Sequence, residues 1–145
     1  MTSLLERITK FSLLIKKSSE APKSNQANNM NINRSTGTSR QQAELAQLRN
    51  DNPNASIQAE RYLRDKNGKI LKDPLTGEAR RIDFAVIKDN KVIELVETTS
   101  LNANKTFQSQ KEARIREAGG TYIRDRNTRK LIDVSNIETR ISRRE

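Results

Sequence analysis

Two strand-like runs, Arg80 to Ile87 (RRIDFAVI) and Val92 to Thr99 (VIELVETT), flank the tetrapeptide Lys88-Asp89-Asn90-Lys91. Runs rich in β-branched and aromatic residues on either side of an Asp-Asn turn predict a β-hairpin. A helix follows from about Ala103 to Ala118, closed by Gly119-Gly120, a sequence suited to a helix C-terminus. Strand, turn, strand and helix within Ala79 to Gly120 leave few ways to bury the apolar face of the hairpin. The economical one lays the helix back across a sheet.

The flanking segments extend that unit. SRQQAELAQLRN, Ser39 to Asn50, carries Ala43, Leu45, Ala46 and Leu48 on a helix-permissive background, with Ser39 as cap and Asn50 to Pro53 as stop. In ASIQAERYLRD, Ile57, Ala59, Arg61 and Leu63 alternate with Gln58, Glu60 and Tyr62, which predicts a strand. Asn67-Gly68 marks a fold-back within Tyr62 to Lys72, and Asp73-Pro74 with Thr76-Gly77 marks a second turn. TYIRD, Thr121 to Asp125, reads as a short strand, and the remainder turns at Asn127 and ends as a basic helix or tail. The order α-β-β-β-α-β predicts an α/β (α+β) domain over 39–145, a mixed sheet with a helix on each side.

Residues 1–38 read differently. Leu4, Ile8, Phe11 and Ile15 recur at helical spacing within Thr2 to Lys17, and Ser3 with Glu6 forms a capping-box pattern. Glu6, Arg7 and Lys10 break the apolar stretch, so a signal peptide is not expected. Ser18 to Thr38 is dominated by Ser, Asn, Gln and Lys and reads as a flexible linker. No apolar run approaches membrane-spanning length, so stable membrane insertion is not expected.

With 28 Lys and Arg against 18 Asp and Glu, the net charge is +10, which favours a polyanionic partner such as nucleic acid. The chain has no Cys and no His, which excludes thiol catalysis, His-based triads and Cys/His zinc sites. Catalysis, where present, falls to carboxylates, Lys, Arg, Tyr or hydroxyls. Asp83 lies inside the apolar run Ile82 to Ile87, where an unpaired charge is costly. Glu97 lies late in the next run, and two carboxylates joined by a hairpin can hold a hard divalent cation. A two-residue Asp89-Asn90 turn sets Asp83 opposite Val96; one extra residue or a bulge sets it opposite Glu97.

Asp83 on the second strand and Glu97 on the third, in this element order, resemble the restriction-endonuclease-like PD-(D/E)XK nucleases. RYLRDKNGKILKDPLTGEARRIDFAVI and KTFQSQKEARIREAGGTYIRD resemble the C-terminal nuclease tips of bacterial polymorphic toxins, including those of contact-dependent growth inhibition. The resemblance implies a metal-dependent endonuclease acting on DNA or tRNA, with Mg²⁺ at Asp83 and Glu97 and with Mn²⁺ or Zn²⁺ as alternatives. It implies an acid on the first helix, which Glu44 supplies. It selects Glu97 over Glu94, because the family triplet falls on Glu97-Thr98-Thr99. There Thr99 replaces the expected Lys, so the cation must come from the following helix.

Lys111 and Lys105 are the candidates for that cation. Lys111 is favoured because Phe107, Lys111 and Ile115 form a stripe directed at the sheet, about two turns into the helix. Gln108 is placed to orient phosphate or water, and Arg114, Arg116 and Arg124 to contact the phosphate backbone. The resemblance further implies a secreted or cell-surface-delivered toxin acting in the target-cell cytoplasm, neutralised by an immunity protein. That partner is expected to be acidic where it meets the basic face. The competing expectation is a basic nucleic-acid-binding module of the same fold without catalysis.

Overall fold

The computed structural model describes residues 25–145, with side chains from Gly37 onward. The amphipathic segment Thr2 to Lys17 lies outside the described residues. Helix α1 spans Asn25–Asp51, beginning within the stretch expected to be linker and continuing through Ser39 instead of being capped there. It ends as expected before Pro53, where the backbone N–H and side chain of Asn52 both donate to Leu48 O at 2.9 Å.

The main sheet contains β1 (Ser56–Tyr62), β2 (Arg81–Lys88), β3 (Lys91–Thr99) and β6 (Thr139–Arg143), side by side in the order β1-β2-β3-β6. β1, β2 and β3 pair antiparallel, and β6 joins β3 in parallel after a crossover that includes helix α2 (Thr106–Glu117). β4 (Tyr122–Arg124) and β5 (Leu131–Asp133) form a separate two-stranded ribbon. The sheet is therefore mixed and mostly antiparallel, in an α+β arrangement with two helices among the described residues. The C-terminal stretch expected to be helix or tail is instead β5 and β6. Parallel pairing with β3 depends on a partner 44 residues upstream in the register Leu95 to Thr139, which local periodicity does not show.

Alternation along β2 and β3 divides the core between the two faces. Phe84, Val86 and Val96 pack with Leu45 and Leu48 of α1 on one face. Ala85, Ile87, Val92 and Leu95 pack with Ile115 of α2 on the other. Asp89 and Asn90 have φ of 53° and 64°, the left-handed pair that a two-residue hairpin turn requires. Helix α2 closes on Gly119, φ +104°, and on Gly120, where a Cβ atom would lie 2.4 Å from Ile115 Cγ2 and 2.9 Å from Ile115 O. Both glycines serve the stop that the sequence predicts.

Candidate functional site

The hairpin register brings the two carboxylates together. Lys88 pairs with Lys91 and Ile87 with Val92, but Val86 pairs with Glu94, so the register shifts by one residue at Ile93. Beyond this bulge Ala85 faces Leu95 and Phe84 faces Val96, which sets Asp83 across from Glu97 on the face covered by α2. Of the two registers open in the sequence, the bulged one is formed. Asp83 Oδ2 accepts the Thr98 backbone N–H at 2.8 Å, tying the side chain across to β3. Glu94 falls on the opposite face and binds Arg140 Nε at 2.6 Å.

Glu97 is 5 % exposed and lies between two cations. Arg80 Nη1 and Nη2 donate to its Oε1, each at 3.3 Å, and Lys105 Nζ donates to Oε2 at 3.2 Å. Arg80, buried just before β2, also donates through Nε to Glu112 Oε1 at 2.9 Å and through Nη1 to Arg81 O at 2.8 Å. Glu112 in turn accepts from Arg116 Nε at 3.1 Å and Thr139 Oγ1 at 2.8 Å. One guanidinium thus joins the start of β2, the end of β3, the middle of α2 and, through Glu112, β6.

Burial, followed by the charge of Glu97, pushes the Asp83 carboxyl up to about 6 from its ordinary 3.8. The Thr98 N–H, Arg80 and Lys105 oppose that rise without cancelling it. A carboxylate held in this condition favours either a proton or a nearby cation. The donor chemistry therefore fits a hard divalent ion: carboxylate oxygens from two adjacent strands, one of them destabilised as the bare anion. Among the described residues, no group of three or more acidic side chains forms a fuller ligand set.

The other expected residues take varied positions. Lys105, not Lys111, reaches Glu97; Lys111 Nζ pairs with Glu78 Oε1 at 3.8 Å. The assumed helix phase is the reason. Glu112 and Ile115 are the buried residues of α2, whereas Phe107 is 84 % exposed, so the stripe directed at the sheet is Gln108-Glu112-Ile115. Gln108 does line a cleft of about 460 Å³ together with Arg80, Glu97, Lys105 and Arg116.

Glu44 is buried on the α1 face, not beside Asp83 and Glu97. It pairs with Arg144 Nε at 3.1 Å and Arg140 Nη2 at 3.7 Å, and the β6 register aligns Arg140 with Val96. Its contacts tie α1 to β6. Arg114 grips Asp73 through two hydrogen bonds of 2.8 Å, which hold the Asp73 carboxyl far below the usual carboxylate range. Arg116 spends its remaining donors on Val134 O and Ile137 O at 2.8 and 2.9 Å, and Arg124 Nη1 donates to Arg129 O at 2.7 Å. All three arginines expected to contact substrate make internal contacts.

Arg80 and Glu112 are the site residues that sequence reasoning missed. The available signal was the i, i+4, i+7 spacing of Gln108, Glu112 and Ile115, which places an acid on the core side of α2 and calls for a buried cation opposite it. Comparison with protein-family models, curated proteins and solved structures returns no match for this chain. No helix among the described residues is long and apolar enough to cross a membrane.

Proposed function

We propose that this protein is a metal-dependent nuclease of restriction-endonuclease-like fold that cleaves phosphodiester bonds in DNA or tRNA. The observation that carries the reading is the Asp83–Glu97 pair, set opposite across a bulged hairpin with the Lys105 ammonium on Glu97. Asp83 and Glu97 would hold the cation, Mg²⁺ first, with Mn²⁺ or Zn²⁺ as alternatives. When bound, such an ion polarises the scissile phosphate and lowers the pKa of the attacking water. Arg80 fixes Glu97 from behind, and Lys105 is the side chain placed to meet charge developing on the phosphate. The basic balance of the chain supplies long-range attraction for the polyanion.

The resemblance of the sequence to polymorphic toxin tips extends the proposal to a delivered toxin that acts in a target-cell cytoplasm. Its partner is then an immunity protein, acidic at the contact face. Incubation of purified protein with plasmid DNA and with total RNA, in Mg²⁺, Mn²⁺ or Zn²⁺ and in EDTA, tests the enzymatic part. Cleavage of one substrate that stops in EDTA supports it, and cleavage of neither with any of the three metals sinks it.

A second reading, a nucleic-acid-binding module without catalysis, is favoured by one observation: both Glu97 oxygens already carry cationic partners. The lysines separate the two readings. For the nuclease, Lys105→Ala lowers single-turnover cleavage by about 10²-fold, on the scale of losing one transition-state donor. Lys111→Ala changes it less than about two-fold, since the Lys111 ammonium pairs with the exposed Glu78 and not with Glu97. Equal effects of the two substitutions would remove Lys105 from the site.

A further inference from the structure

A second cleft, of about 490 Å³, adjoins the one that contains Glu97. The two share Lys105, Ser109, Ala113 and Ile141 as lining residues, so they form one groove between α2 and β6 with Lys105 at the junction. Past that junction the walls carry Thr106 and three longer polar side chains, Asn104, Gln110 and Arg143. The longer three end in amide and guanidinium groups, and no acidic side chain lines this second part. Arg143 Nη1 also donates to Ala103 O at 2.7 Å and Leu101 O at 3.3 Å, holding the loop that presents Lys105.

We infer that this second cleft is a subsite for the nucleotide next to the scissile phosphate, and that the substrate enters the groove as a single strand. The inference rests on the nuclease reading for the identity of the first cleft. Three features carry it. The groove is continuous at Lys105 with the cleft that Glu97 lines, so a chain lying in it passes that carboxylate. Each cleft has the volume of a small-molecule site, which suits one nucleotide and not the breadth of a duplex. The lining pairs hydrogen-bonding amides with a guanidinium, the combination that follows a phosphate backbone and unpaired base edges. An unpaired loop of a folded RNA and an exposed stretch of DNA present the same chemistry, and RNA and DNA probes distinguish those sources.

The test is fluorescence anisotropy of the full chain in EDTA with a labelled single-stranded oligonucleotide, DNA and RNA in separate arms, and a duplex of the same sequence. Ser109→Glu and Gln110→Glu each place one negative charge in the groove on an exposed helix position, where folding is undisturbed. Each should weaken single-strand binding about five-fold or more by repelling phosphate. Lys91→Gln makes the same net charge change at the hairpin tip and should alter binding less than about two-fold. A duplex binding as tightly as the single strand in both arms overturns the inference, as does a Lys91→Gln loss equal to those in the groove. Binding unmoved by Ser109→Glu and Gln110→Glu also overturns it and leaves the groove to a protein partner. Because binding is read without metal, failure of the nuclease reading appears separately, as a wild type that binds but never cuts.

Discussion

Asp83→Asn should abolish cleavage while making the metal-free protein more stable at pH 8. Folding raises the Asp83 carboxyl from 3.8 to about 6, through burial first and the Glu97 charge second. The folded state therefore binds this proton more tightly than the unfolded state. Stability falls as pH climbs from about 4 to about 6 and stays reduced above that window. Asparagine keeps an oxygen for the Thr98 N–H and carries no charge, so it escapes the penalty. The expected gain at pH 8 in EDTA is on the order of 1–3 kcal/mol, vanishing below about pH 4, where both proteins are neutral at this position. Urea melts at the two pH values measure it. A variant less stable than wild type at pH 8 would mean that Asp83 serves the fold and not a cation. Gain of stability on removal of a functional charge is the usual mark of a site kept for activity.

Arg80→Met should have the largest effect on the fold itself. The guanidinium is 3 % exposed and neutralises both Glu97 and Glu112. Its removal leaves Glu97 with Lys105 alone, and Glu112 with Arg116 and Thr139. Breaking a buried ion pair from one side typically costs about 3–5 kcal/mol, because the partner keeps its desolvation penalty. Arg80→Met should fall in that range by chemical denaturation, and Arg80→Met combined with Glu112→Leu should recover part of the loss. If the double variant is no better than the single one, the Glu112 charge is not what Arg80 was holding.

The elements that later placed the carboxylates were readable because they obey local rules. Asp-Asn specifies the tight turn, alternation specifies the faces, and Gly119-Gly120 ends α2. Even the bulge was one of two countable registers, although alternation alone could not choose between them. What was not readable depended on distant partners. β6 becomes a strand only by pairing with β3, and Glu44 is buried only because Arg140 and Arg144 arrive from that same C-terminal segment. Helix phase is hidden because Phe107 has the character of a core residue, yet Glu112, satisfied by Arg80, Arg116 and Thr139, faces inward instead. The start of α1 at Asn25 is likewise hidden in a Ser-, Asn- and Gln-rich stretch without an apolar stripe.

The pairing of Asp83 with Glu97 as a cation-dependent cleavage site is tested most directly by single-turnover cleavage as a function of Mg²⁺, for wild type and Glu97→Gln. Glutamine preserves the shape of the side chain and accepts from Lys105 but removes the charge opposite Asp83. The wild-type rate should rise with Mg²⁺ to a plateau and disappear in EDTA. The Glu97→Gln rate at saturating Mg²⁺ should be lower by about 10³-fold or more, because the ion would lose a charged ligand and with it transition-state stabilisation that more Mg²⁺ does not restore. Wild-type cleavage that persists in EDTA, or a Glu97→Gln plateau equal to that of wild type, would contradict the assignment.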